Sequence, residues 1–254
     1  IKKIDTDFYV DTKNLSKNEI VEISAKKLIK YGAVILNEYF DDSILSKFEN
    51  EYKDDFSKLS YEPSDFYSRT DTLPFSKVLT DLWFDEVLID IMRKYIKRLP
   101  LARQYPYVDT YTPKKNNSTG YDAVGKNNFA DEWHLDHATL IQPAIYLTDV
   151  TEQTTRMQVI LGSNTYPGVT NPGFMSDEYV SKNNLTTGNC IGKRGTVQFH
   201  CGNTFHRFKA VKNSTRTWIK FQFSSGNNIY TNAQHVGKML KNNFDLSSLD
   251  NRSR

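Results

Sequence analysis

The segment Glu132-Trp133-His134-Leu135-Asp136-His137 holds the residues best suited to chemistry. On an extended strand, residues i and i+2 point to one side, so His134 and Asp136 would present an imidazole and a carboxylate together. That is half of a chelate. Two histidines and one carboxylate bind Fe(II) on one face and leave three positions open, enough for a cosubstrate and dioxygen together. The pattern His-x-Asp is common by chance, and two polar residues on a solvent-facing strand would look the same. A second group raises its meaning: His206 lies far downstream, and Arg216 follows it by ten residues across the turn-forming Lys212-Asn213-Ser214-Thr215. A hairpin turning near Ser214 would place Arg216 roughly 16 Å up the strand from His206, at about 3.3 Å per residue. Inward reach of both side chains would leave room for a small dicarboxylate between a metal and the guanidinium. In such a hairpin both side chains share a face only if the loop is odd in length or carries a bulge.

Other residues compete for these roles. His137 should point to the opposite side of the strand from Asp136, in a packing or substrate-contact role. His200, six residues before His206, is the alternative distal ligand, and His235 falls in the C-terminal tail. Arg156 reads as an exposed hairpin arginine or an anion-binding group at a pocket mouth, and Trp133 and Tyr146 as core or pocket-wall aromatics.

The elements needed to hold such a site can be read from periodicity. Ser16-Lys17-Asn18-Glu19 is a capping box ahead of a helical apolar pattern that Gly32 ends, and Ala33 to Asn37 follows as a buried strand. Asp41 and Asp42 could cap a second helix, residues 57–75 read as a connecting loop, and a third helical region spans about 76–98. Beyond Pro100 the period falls to about two. Strands are expected at Gln104 to Thr112, Glu132 to His137, Gln142 to Val150, Met157 to Leu161, Thr196 to His200, His206 to Val211 and Arg216 to Phe223. Short strands at close intervals imply a sandwich or barrel. The organisation expected is one domain over 1–254: a mainly helical flank over 1–100, a β core over 101–224 with lid-like insertions near 113–128 and 168–193, and an extension over 225–254.

Composition narrows the function further. Among 254 residues, 33 Lys and Arg against 30 Asp and Glu give a net charge of only +3, too even to point to nucleic acid. Two cysteines exclude a disulfide framework or thiolate zinc site, and the charged Ile1-Lys2-Lys3-Ile4-Asp5 does not resemble a secretory signal. The longest apolar runs are strand-sized, far below the roughly 18 residues of a membrane helix. A cytoplasmic protein, monomeric or a small homo-oligomer, acting on a small molecule is the expectation.

Order and spacing together resemble the phytanoyl-CoA dioxygenase-like branch of the Fe(II)/2-oxoglutarate-dependent oxygenases. The pieces that carry the resemblance are His134-Leu135-Asp136, the strand Ala144 to Asp149, the segment Thr154 to Asn164, and His206 with Arg216, preceded by Lys30 to Leu36. Together they span most of residues 28–223. The resemblance implies a mainly β fold with flanking α-helices, a double-stranded β-helix (jelly-roll, cupin-like). It also implies Fe(II) held by His134, Asp136 and His206, 2-oxoglutarate gripped by Arg216, dioxygen as oxidant, and hydroxylation or another hydrogen-abstraction outcome with release of succinate. Halogenating relatives have Gly or Ala where this chain has Asp136. Thr155 and Arg156 in place of Gly-Pro, Asn164 in place of His, and Phe208 in place of a small hydroxylated residue depart from the pattern and limit any transfer of substrate. The competing readings are a catalytically inactive β-helix binding module and a mononuclear metal enzyme independent of 2-oxoglutarate.

Overall fold

Local signals set the N-terminal elements. The computed structural model describes residues 7–57, 67–70, 73–113, 132–136, 138–165 and 174–225. After strand β1 (Tyr9–Asp11), helix α1 (Lys17–Tyr31) opens on the reciprocal Ser16 and Glu19 capping box. It ends at Gly32, whose φ of 74° is a left-handed cap open to glycine without strain. Strand β2 (Ala33–Asn37) follows at once, then helices α2 (Asp42–Glu51) and α3 (Lys53–Ser57). The expected loop over 57–75 contains strand β3 (Tyr67–Thr70). The expected helix over 76–98 is two: α4 (Lys77–Trp83) and α5 (Glu86–Ile96). They divide because the Asp85 side chain accepts from the Val87 and Leu88 amides and starts a new N-terminus.

The remaining strands are β4 (Leu101–Tyr111), β5 (Trp133–His134), β6 (Leu140–Tyr146), β7 (Arg156–Ile160), β8 (Phe174–Met175), β9 (Thr187–Cys190), β10 (Val197–Cys201), β11 (His206–Lys209) and β12 (Arg216–Ser224). Two of them, with helix α6 (Asp177–Lys182), lie inside the stretch expected as a lid over 168–193. The strands form a seven-stranded sheet ordered β1-β2-β10-β6-β12-β4-β3 and a five-stranded sheet ordered β8-β5-β11-β7-β9. From β4 to β7, and again from β9 to β12, successive strands alternate between the two sheets, which is the double-stranded β-helix.

Period-two alternation gives the larger sheet two different faces. Along β12, Ile219, Phe221 and Phe223 join the helices in one core that also holds Leu28, Trp83 and Leu88. Trp218 faces the other way, into a second core between the sheets with Tyr146, Val159 and Cys190. The site lies on this inner side.

One expectation is corrected here. His206 and Arg216 are not on a hairpin: β11 pairs with β5 and β7, whereas β12 pairs with β4 and β6. The turn between them is a corner that carries the chain from one sheet to the other. It is fixed by Asn213, which takes a φ of 60° and donates its amide to the Pro113 carbonyl at 2.7 Å, and by Ser214 Oγ, which accepts from the Thr155 amide at 2.8 Å. The two side chains share an interior because the sheets face each other, and no odd loop or bulge is required between them.

Gly32 ties the helical flank to this interior. Its carbonyl accepts from the Cys201 amide and from Thr204 Oγ1, both at 2.9 Å, and a Cβ placed on it would stand 2.1 Å from Thr204 Oγ1. Gly32→Ala should therefore lose about 2 kcal/mol from the left-handed backbone alone, lowering the thermal midpoint by roughly 4–8 °C. A melting curve superimposable on the parent would contradict this account of the junction.

Candidate metal centre and anion cage

Residues far apart in sequence meet here through strand register. His206 opens β11 and pairs directly with His134 on β5, bringing the two rings to 4.4 Å between centroids. Asp136 lies just beyond β5, which is only two residues long, so the expected strand through both His134 and Asp136 is shorter than the pattern implied. The carboxylate still reaches the pair. One ligand atom each from His134, Asp136 and His206 lies within 4.8 Å of the others, a group that could hold a metal ion.

Each imidazole is oriented by the backbone two residues earlier. His134 Nδ1 contacts the Glu132 carbonyl at 2.8 Å and His206 Nδ1 contacts the Thr204 carbonyl at 2.9 Å. A carbonyl can only accept, so both Nδ1 atoms carry the hydrogen and both Nε2 atoms keep a free lone pair. Metal-binding histidines are oriented this way. Burial and the neighbouring His134 hold the His206 pKa well below the ordinary histidine value, partly offset by Asp136. Burial opposes ionisation of Asp136, but His206, His200 and Lys220 outweigh it and hold the carboxyl well below its usual range. Two Nε2 atoms and one carboxylate oxygen thus converge as candidate donors.

Across the interior, Arg216 is fully buried in an aromatic cage. Its guanidinium carbon lies 3.8 Å from the Trp218 ring centroid, 4.4 Å from that of Phe208 and 5.1 Å from that of Tyr111. Nε, Nη1 and Nη2 all lack a hydrogen-bond partner among the described residues. Burial lowers the pKa, yet arginine keeps its proton in proteins, so a charged fork with five unused donors faces the interior. The buried Asp109 carboxylate acts on the guanidinium electrostatically without hydrogen bonding to it, so the five donors stay open to an anion. The donor geometry suits a carboxylate.

Of the other residues singled out in the sequence, His200 is fully buried and faces the site, with its ring centroid 4.6 Å from that of His206 and Nε2 3.7 Å from Asp136 Oδ2. It is not part of the three-residue group. Arg156 is not the exposed hairpin arginine expected: it is buried, pairs with Glu152 at 2.9 Å and donates to the Glu152 carbonyl at 2.8 Å. Trp133 is structural, donating to Asp177 at 2.9 Å under the Arg207 guanidinium. Tyr146 is a buried wall residue that donates to Gln198 at 2.7 Å. His137, His235 and residues 114–128 lie outside the described residues.

Pattern reading missed Gln142 and Gln222. Gln142 Nε2 donates to Asp136 Oδ2, and Gln222 Nε2 donates to Gln142 Oε1 at 3.3 Å. The available signal was a glutamine inside the otherwise apolar Leu140-Ile141-Gln142-Pro143-Ala144-Ile145-Tyr146, where a buried amide needs partners.

No family model and no curated protein matches the chain. Solved structures do: the jelly roll is shared with non-haem enzymes that depend on 2-oxoglutarate (alpha ketoglutarate). The epimerase SnoN, in complex with Fe3+, alpha ketoglutarate and nogalamycin RO, superimposes with a TM-score of 0.60 at 13% identity, over 82% of this chain and 84% of its own. The carbocyclase SnoK from nogalamycin biosynthesis gives 0.56 at 15% identity, over 85% and 86%. HygX from Streptomyces hygroscopicus, with nickel, 2-oxoglutarate and hygromycin B bound, gives 0.55 at 13% identity, over 84% and 88%. At these identities the likeness establishes the fold.

The buried imidazoles predict a pH dependence for the metal-free protein. Folding lowers the pKa of His200, chiefly by burial, and that of His206. The unfolded chain therefore binds more protons, and stability present above about pH 6.5 is lost as pH falls. Each histidine contributes a slope of up to about 1.4 kcal/mol per pH unit. Urea midpoints at pH 7, 6 and 5 should fall progressively, and His200→Gln should flatten the trend; equal slopes in parent and variant would refute it.

Proposed function

We propose that this chain is an Fe(II)- and 2-oxoglutarate-dependent oxygenase of the phytanoyl-CoA dioxygenase-like type, oxidising a small-molecule metabolite by hydrogen abstraction. The observation that carries the reading is Arg216, a buried guanidinium with no hydrogen-bond partner among the described residues, on the opposite sheet from a two-histidine, one-carboxylate group. The donor set fits the metal, and the unpaired fork fits the far carboxylate of 2-oxoglutarate. The structural neighbours crystallised with iron or nickel and this cosubstrate support the pairing.

On this reading His134 and His206 supply Nε2 atoms, Asp136 supplies one negative charge, and Arg216 supplies the positive charge that balances the distal carboxylate. The aromatic cage keeps water from that ion pair, which strengthens it. Bound iron and cosubstrate would supply the oxidising power, one oxygen atom of O2 leaving in succinate and the other entering the hydroxylated product, with release of CO2. Asp136 fills the position that halogenating relatives leave for a halide, so the outcome is hydroxylation or another fate of the abstracted hydrogen. The nogalamycin- and hygromycin-bound neighbours support a free small molecule as substrate.

Anaerobic addition of Fe(II) and then 2-oxoglutarate should raise a weak visible charge-transfer band, with succinate formed once air is admitted. Arg216→Met should weaken 2-oxoglutarate binding at least about 30-fold, from the 2 kcal/mol or more lost when a buried charge partner is removed. His206→Ala should abolish the band. A parent protein that shows neither band nor succinate defeats the proposal, and a parent-like Arg216→Met defeats the cosubstrate assignment.

A further inference from the structure

Asp136 stands outside any strand, so no ladder of backbone hydrogen bonds fixes its carboxylate. What holds it comes from the opposite sheet. Neighbouring strands β10, β6 and β12 each turn one polar side chain inward at the same level, His200, Gln142 and Gln222, and Tyr107 reaches Gln222 from β4. His200 and Gln142 are direct register partners. The register of β12 with β6 is constant from Trp218 opposite Tyr146 to Ser224 opposite Leu140, which puts Gln222 opposite Gln142; the irregularity between Lys220 and Phe223 lies in the pairing with β4. Gln222 Nε2 lies 3.3 Å from Gln142 Oε1 and 3.2 Å from Tyr107 Oη.

This row fixes which way each amide points. A carboxylate only accepts, so Gln142 must turn its NH2 toward Asp136. That leaves Gln142 Oε1 facing Gln222, which in turn must present its own NH2. One arrangement satisfies every contact.

We infer that Gln142 is a positioning residue for the metal centre and that Gln222 acts through it, the two forming an amide relay that holds Asp136 ready to bind metal. His200, beside Gln142 and 3.7 Å from the same carboxylate oxygen, closes the other side of the grip. The inference rests on the metal-binding reading of His134, Asp136 and His206 and adds residues that the reading does not contain. Hydrogen-bonding partners of ligand side chains are worth 10–100-fold in metal affinity.

The test uses Co(II) alone, added to the metal-free protein under anaerobic conditions, with the visible ligand-field spectrum and the dissociation constant as readouts. Gln142→Met keeps the volume and removes the donor; it should weaken Co(II) binding about 10–100-fold and alter the spectrum. Gln222→Met, at a partly exposed position on another strand, should produce a smaller loss in the same direction, with a parent-like urea midpoint showing that the fold is intact. The double variant should be no weaker than Gln142→Met. Parent-like affinity and spectrum in Gln142→Met would overturn the inference while leaving the metal site standing, and multiplied losses in the double variant would overturn the relay. A parent protein that binds no Co(II) would overturn the metal reading itself, and the inference with it.

Discussion

A positive charge enclosed by three aromatic rings is the constraint around which the interior is organised. Arg216 sits where water cannot solvate it, and the surrounding groups offer ring faces, with no hydrogen-bond acceptor engaged. Cation–π contacts recover only about 0.5–2 kcal/mol each, less than a desolvated guanidinium loses. The charge is therefore left to electrostatic partners such as the buried Asp109 carboxylate and, on the proposed reading, to the carboxylate of a bound cosubstrate. Phe208 makes the point within one residue. Its ring, in place of the small hydroxylated residue that the resemblance leads one to expect, offers the cation a face and no hydrogen bond.

Sheet topology turns that constraint into a site. β11 and β12 are consecutive in the chain yet belong to opposite sheets, so His206 and Arg216 face one another across the interior. Among the described residues, the helices carry none of the candidate site residues. They cover the outer face of the larger sheet through Ile219, Phe221 and Phe223, which frees the alternate residues of β12 to be polar. Gly32 is where cover and site touch: its carbonyl receives Thr204 Oγ1, and the Thr204 carbonyl in turn receives the His206 ring hydrogen. Strain at the end of the first helix would thus reach a candidate ligand through two hydrogen bonds.

Much of this was legible in the amino-acid order. The capping box at Ser16 and the Asp41-Asp42 pair marked helix starts, although Asp41 makes no side-chain cap bond; the switch in period beyond Pro100 gave the strand-rich sandwich or barrel, and the resemblance narrowed it to the jelly roll. His134, Asp136, His206 and Arg216 were visible because their types are rare or costly to bury and their order is distinctive. The hairpin geometry proposed for the last two was not right, because residue spacing says how far apart two strands begin and nothing about which sheet each one joins. The brevity of β5 and the structure within 168–193 were hidden for a related reason: two-residue strands such as β8 have too few positions to show a period. Gln142 and Gln222 escaped because an amide inside a strand has no meaning until the strand across the sheet is known.

The main-chain contacts of the two histidines have a consequence for how this sequence can drift. The hydrogen on each Nδ1 is set by a carbonyl two residues upstream, at Glu132 and Thr204, and every amino acid carries a carbonyl. Replacing the side chain at 132 would leave the tautomer of His134 unchanged so long as the strand keeps its path. The information that prepares these imidazoles is thus stored in backbone shape, and substitution at position 132 can erase the local resemblance to other chains without disturbing the ring it serves.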